Sequence, residues 1–195
     1  MSDIVGLHDE EERAELTRLA ADTALDVRAY LEATTTVASG TSPDVALPVV
    51  LLAISQVLVA GARLGAIADV LPTERFEPDS GPEPDVDPLH DALANVLDGI
   101  DEYADVVDPV LPSEIERGSL SGDLATVALD LSHGLRHFEA GRVDEALWWW
   151  QFSYLSSWGS RAASALRVVQ SILSHLRLDA DEDLVADAEF DALHP

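Results

Sequence analysis

The stretch RVDEALWWWQFSYLSSWGSRAASALRVVQSILSHLR, residues 142–177, decides the fold. Its apolar positions Val143, Leu147, Trp150, Tyr154, Trp158, Ala162, Ala165, Val169, Ile172 and Leu176 recur three or four apart, which is the period of an α-helix. One long helix is expected, with a bend at Gly159. Working toward the N-terminus, Leu124, Val127, Leu131, Leu135 and Phe138 form a second stripe that stops at Gly141. A turn-rich stretch, Pro109 to Gly122, precedes it. Before that, Leu89, Leu93, Val96, Leu97, Ile100, Ala104 and Val107 predict a helix ending at Asp108-Pro109, since proline disfavours helical geometry in the residue before it. Prolines 72, 78, 82, 84 and 88 forbid a continuous helix between Leu71 and Leu89.

The remaining N-terminal half holds two helices. Val45 to Ala62 runs 18 residues without a charge, the lower limit for a membrane span. Pro48, Ser55 and Gln56 interrupt it and no cluster of basic residues flanks it, so it reads as a helix buried on all sides within a bundle rather than in a bilayer. Arg13 to Ala38 carries the helix period through Leu16, Leu19, Ala20, Thr23, Val27, Tyr30, Leu31 and Val37, and Ser39-Gly40-Thr41-Ser42-Pro43 ends it. No strand-like alternation is found. The fold class is therefore all-α, an antiparallel bundle of about five helices with a proline-rich acidic connection between helices 2 and 3. Residues 1–178 form one domain, and 179–195, with seven carboxylates and no arginine, read as an acidic, flexible tail.

Charge removes several functions. The chain has 37 Asp and Glu against 11 basic residues, all arginine, for a net charge of −26. Direct nucleic-acid binding is excluded, because it rests on Lys and Arg displacing counterions from phosphates. The absence of cysteine excludes disulfides, thiolate nucleophiles and thiolate metal sites. The opening MSDIVGLHDEEER has no apolar run fit for a signal peptide, so a cytoplasmic protein is expected. A hydrophobic content of 47% is too high for a disordered chain.

Few residues point to chemistry. Asp130, His133 and His137 follow one another at three and four residues and so project from one side of a helix, where they could ligate a divalent metal, the one cofactor this pattern would accommodate. A helical count puts them opposite the apolar stripe, toward solvent. Asp98, Asp101, Glu102 and Asp105 stack on one face of the expected third helix as a ridge of like charge. Each i,i+4 pair of such charges costs a helix roughly 0.2–0.5 kcal/mol. The ridge is a candidate contact for a basic partner. Trp149 projects away from Trp148 and Trp150, beside Ser153, Ser156 and Ser160; it is either covered by a neighbouring helix or an exposed anchor for a partner. Arg161 falls on an aromatic side and reads as a structural bridge to an acid or an aromatic face, with an anion-binding site as the alternative, and Gln56 and Gln151 each need a hydrogen bond. The run EPDSGPEPDVDPLHD, residues 77–91, departs from the calcium-loop pattern and reads as a solvated segment. AGRVDEAL, residues 140–147, echoes the turn of a helical tandem repeat, but no second copy follows at the expected period. No Walker loop, GxGxxG, HExxH or GxSxG sequence occurs, so no catalytic residue is assigned.

Three stretches carry a resemblance: HGLRHFEAGRVDEALWWWQFSYLSSWGS from His133, LPVVLLAISQVLVAGARLG from Leu47 and DVLPTERFEPDSGPEPDVDPL from Asp69. They resemble an uncharacterised bacterial family of small helical proteins known as a domain of unknown function. The resemblance implies a helical fold and an accessory role, with no cofactor or catalytic residue to carry over. Three functions fit these observations. The first is a non-enzymatic interaction protein whose acidic surface, through Asp98, Asp101, Glu102, Asp105 and Trp149, contacts a basic, DNA-handling protein. The second is a metal-dependent bundle enzyme using Asp130, His133 and His137. In the third, acidity serves only solvation.

Overall fold

A computed structural model describes the backbone of residues 2–72, 85–106, 110 and 114–193, and within these the side chains of residues 10–178. Helix α1 spans Ser2–Ala38, and a 3-10 turn, Pro43–Val45, leads into α2, Ala46–Ala66. Next come α3, Asp87–Val96, and a hairpin of β1, Glu102–Val106, with β2, Ile115–Ser119. α4, Leu120–Glu139, and α5, Val143–Ser153, form a helical hairpin, and a π turn at Tyr154–Trp158 joins α5 to α6, Gly159–Leu193. The mainly all-α fold expected from periodicity is the one observed. α4 lies at the centre and touches α1, α3, α5 and α6, while α2 packs on α1 and α6.

The core follows the apolar stripes. Ala20, Val27 and Tyr30 of α1 meet Leu124, Val127 and Leu131 of α4, and Leu147, Trp150, Trp158 and Val169 close the other side. Burying each large side chain stabilises by about 1.5–3 kcal/mol, enough in sum to hold the bundle against its charge. Buried polar atoms are satisfied across helices. Tyr30 donates its Oη to the Leu124 carbonyl at 3.0 Å, and burial raises its pKa above the ordinary tyrosine value. Trp150 Nε1 donates to the Leu131 carbonyl at 2.9 Å. That approach needs Gly134, where an added Cβ would fall 2.3 Å from the indole nitrogen.

Three expectations change. α2 is buried on one face only: Val50, Ile54, Val57 and Leu64 face the core, while Leu52 and Val59 are 69% and 52% exposed. The bend near Gly159 is a π turn immediately before it, closed by the Gly159 amide donating to the Tyr154 carbonyl five residues back.

The third change is the largest. The helix expected from Leu89 to Val107 ends at Val96, and residues 102–106 are a strand. Gly99 takes φ +82°, a left-handed turn that a helix cannot contain and that glycine adopts without strain. β1 pairs antiparallel with β2, with Tyr103 opposite Gly118 and Asp105 opposite Glu116. An added Cβ on Gly118 would meet the Tyr103 ring at 2.6 Å, so this register suits only a residue without a side chain. α4 also begins earlier than expected, at Leu120, capped by Ser119 Oγ accepting from the Gly122 amide at 3.1 Å.

Residues 73–84, which hold most of the segment 77–91, lie outside the described residues. The α6 backbone continues to Leu193, so the acidic segment 179–195 begins within a helix, and its side chains are outside the described set.

Candidate functional site

The structure separates the three candidate metal ligands. His137 is fully buried, not solvent-facing, and its Nδ1 lies 2.7 Å from Glu145 Oε2 on α5. A carboxylate only accepts, so Nδ1 carries the proton. Arg136 Nη2 donates to His133 Nδ1 at 2.6 Å, which occupies that nitrogen's lone pair. Asp130 accepts from Ser157 of the π turn, in the fields of His133 and Arg161. Among the described residues no three His, Asp or Glu side chains are grouped to hold a metal ion.

Trp149 explains the burial of His137. Its indole stacks on His133 and His137, with ring centroids at 5.5 and 6.0 Å, and lies edge-on to Trp148 at 5.2 Å. The ring fills the space between α4 and α5 and is half-buried. The polar side of α4 is therefore a second packing face.

The carboxylate ridge does not exist as a helix face. Asp98 is exposed in the turn before the hairpin. Asp101 caps α4, accepting from the Ser121 amide and hydroxyl, each at 2.7 Å. Glu102 pairs with Arg117 across the hairpin at 3.5 Å, and Asp105 reaches Arg167 of α6 at 2.9 Å. Three acids that would repel one another on a helix each find a separate donor, and that difference favours the strand.

The hairpin leans over α4 and α6 and roofs a cleft of about 890 Å³. Asp123, in the first turn of α4, is buried at its centre. It accepts a short hydrogen bond from the Tyr103 hydroxyl of β1 and an ion-paired one from Arg161 Nη1 of α6 at 3.1 Å. Burial raises the Asp123 pKa above the ordinary carboxyl value, against the lowering effect of Tyr103 and Arg161. Burial, with the hydrogen bond to Asp123, likewise raises the Tyr103 pKa. The expectation that Arg161 requires an acidic partner is met, and that partner comes from a different helix. This network escapes sequence reasoning because Tyr103, Asp123 and Arg161 lie far apart in the chain. The available signal was Gly99, whose turn converts a helical reading of Tyr103 into a strand.

The glutamines also find partners. Gln151 Nε2 donates to the carbonyls of Leu64, at 2.9 Å, and Ala68, at 3.2 Å, while its Oε1 accepts from the Val70 amide at 2.9 Å. One side chain of α5 thus satisfies backbone groups at and beyond the end of α2. Gln56 donates to Asp26 at 2.7 Å near the surface.

The family model of the domain of unknown function DUF5063 matches residues 14–175. The chain belongs to this family. Among solved structures, the DUF5063 chain is similar to a crystal structure from Bacteroides fragilis, determined as a structural-genomics target, with 16% identity and a TM-score of 0.58 over 82% of this chain and 90% of that one. At that identity the likeness is one of fold. No curated protein matches the sequence. The DUF5063 span encloses the hairpin and the whole Tyr103, Asp123, Arg161 network.

Proposed function

We propose that this protein is a non-enzymatic interaction module whose acidic surface receives a basic segment of another protein. The observation that carries the reading is a groove of about 560 Å³ between α1, the chain following α2 and the start of α5. Leu16, Leu19, Ile67 and Leu71 supply its apolar side, and Leu71 is 73% exposed. Glu12, Glu15, Asp69 and Asp144 stand around these against one base, Arg13, among the described lining residues. An amphipathic segment would set its apolar side chains on the leucines and its Arg or Lys residues against the carboxylates. Arg28, Arg117, Arg142, Arg161 and Arg167 are already paired with Glu139, Glu102, Glu145, Asp123 and Asp105. A DNA-handling protein is a natural source of such a segment, since its own surface is rich in Lys and Arg.

The test uses a labelled helical peptide with leucines and arginines on opposite faces, followed by fluorescence anisotropy. Saturable one-to-one binding is expected, weakened by salt and reduced about tenfold by Glu15→Lys with Asp144→Lys. Equal binding of a scrambled peptide of the same composition, or unchanged affinity in the double variant, refutes the reading.

A further inference from the structure

The cleft beneath the hairpin has a basic wall on α6, facing Asp105, Glu116 and Asp123 on its other sides. From Ala146 to Leu178 the chain contains three arginines and no Asp or Glu, in a protein of net charge −26. Two of those arginines, Arg161 and Arg167, line the cleft together with Ser160 and Ser164 of the same helix and Ser157 of the π turn before it. Each guanidinium presents five N–H donors in a rigid fork. Arg161 uses Nη1 on Asp123 and Arg167 uses Nη2 on Asp105, and the two side chains remain 49% and 59% exposed. The acids hold the forks in place without exhausting them. Asp123 is itself fixed by Tyr103, so the Arg161 anchor is rigid before any ligand arrives.

We infer that this cleft binds a small hydroxyl-bearing organic phosphate, of the sugar-phosphate class, with the phosphate taken by Arg161 and Arg167. Three properties select that class. Guanidinium forks match the oxygens of an oxyanion in pairs, which favours phosphate over a neutral ligand. A bare phosphate would leave most of about 890 Å³ to water, whereas sites of roughly 300–1,000 Å³ hold organic molecules. The remaining lining accepts from hydroxyl groups: Ser160 and Thr126 spend their protons on the Ser157 and Gly122 carbonyls and keep lone pairs that accept, and Glu116 accepts. The net negative field opposes entry of an anion but is screened beyond about 8 Å at physiological salt, so the groups of the cleft decide the outcome. Asp105 and Asp123 offset part of the charge of Arg161 and Arg167, and Arg117 adds a third base to the lining. This site is independent of the groove that receives a basic segment, and neither result bears on the other.

Isothermal titration calorimetry on the full chain tests the inference with three probes at matched ionic strength: ribose 5-phosphate, ribose and inorganic phosphate. Ribose 5-phosphate is expected to bind saturably and at least about tenfold more tightly than either of the others, the scale of one added charged hydrogen bond. Arg167→Gln should weaken it about tenfold, and Ser160→Phe, which fills the cleft without changing charge, should abolish it. Arg28→Gln, whose pair with Glu139 lies outside the cleft lining, should leave it unchanged. Arg161→Gln removes the base beside a buried acid, so its fold is checked by circular dichroism, and Arg167→Gln and Ser160→Phe decide if it unfolds. Equal affinity for ribose 5-phosphate and inorganic phosphate, no saturable binding of ribose 5-phosphate, or binding unaltered by Arg167→Gln and Ser160→Phe overturns the inference.

Discussion

At the scale of the residue, Asp130 shows how a polar face becomes an interior. It projects from α4 toward Ser157 of the π turn, and burial raises its pKa above the ordinary value of 3.8. Its Oδ2 is buried and has no hydrogen-bond partner. The folded state therefore holds this proton to a higher pH than the unfolded chain does. The stability it contributes is complete below about pH 4 and is lost as pH rises through the folded value. Asp130→Asn should make the protein more stable at pH 7, by less than about 1 kcal/mol because the carboxyl is only half-buried, and should make no difference below about pH 4. Urea unfolding at the two pH values checks this; a loss of stability at pH 7 would show that the charge is favourable where it stands. His137 carries the same lesson. Counting angles from the apolar stripe assumes one buried face, whereas α4 has neighbours on several sides, and Trp149 covers the side on which His137 lies.

At the scale of the element, Gln151 joins two helices by a single side chain. Gln151→Leu strips partners from the Leu64 and Ala68 carbonyls and the Val70 amide, and should cost about 3 kcal/mol, whereas Gln56→Leu, losing an exposed bond to Asp26, should cost less than about 1. Urea midpoints of the two variants give the comparison, and near-equal losses would refute it. That each glutamine needs a partner was legible from an amide among apolar residues; which backbone it reaches was not. Helices were legible where one apolar stripe faces one core, as in α1. The same logic failed at residues 97–107, because Leu97, Ile100 and Ala104 keep the helical spacing by chance while Gly99 breaks the backbone. Periodicity records which side chains are apolar, and a single left-handed glycine overrides it. The like charge of Asp101, Glu102 and Asp105 was a second warning, since a helix offers those three acids no donor, whereas in the observed turn and strand Ser121 of α4, Arg117 of β2 and Arg167 of α6 serve one each.

For the whole molecule, the excess of carboxylates was plain from composition, but its distribution required the fold. Acids crowd α1 and the groove beside it, while the helix running through Trp158 to Leu178 carries none. The candidate cleft was illegible for the same reason: its walls come from segments separated by a connection and a turn that no local pattern relates. Self-repulsion of this magnitude makes stability depend on salt. Raising sodium chloride from about 0.02 M to 0.5 M should lift the thermal midpoint by at least about 3 °C, the shift expected of roughly 1 kcal/mol in a chain of this length, and a flat profile would show that the charges are too dispersed to matter. The π turn at Tyr154–Trp158 governs how these regions are oriented to one another. Each residue turns a helix by about 100°, so this one-residue surplus sets the angular phase between Leu147 and Trp150 upstream and Arg161 and Arg167 downstream. It works as a gear tooth. A chain one residue shorter there would keep its grease, its charge and its apparent rhythm, yet its arginines would swing out of mesh with the hairpin that roofs them.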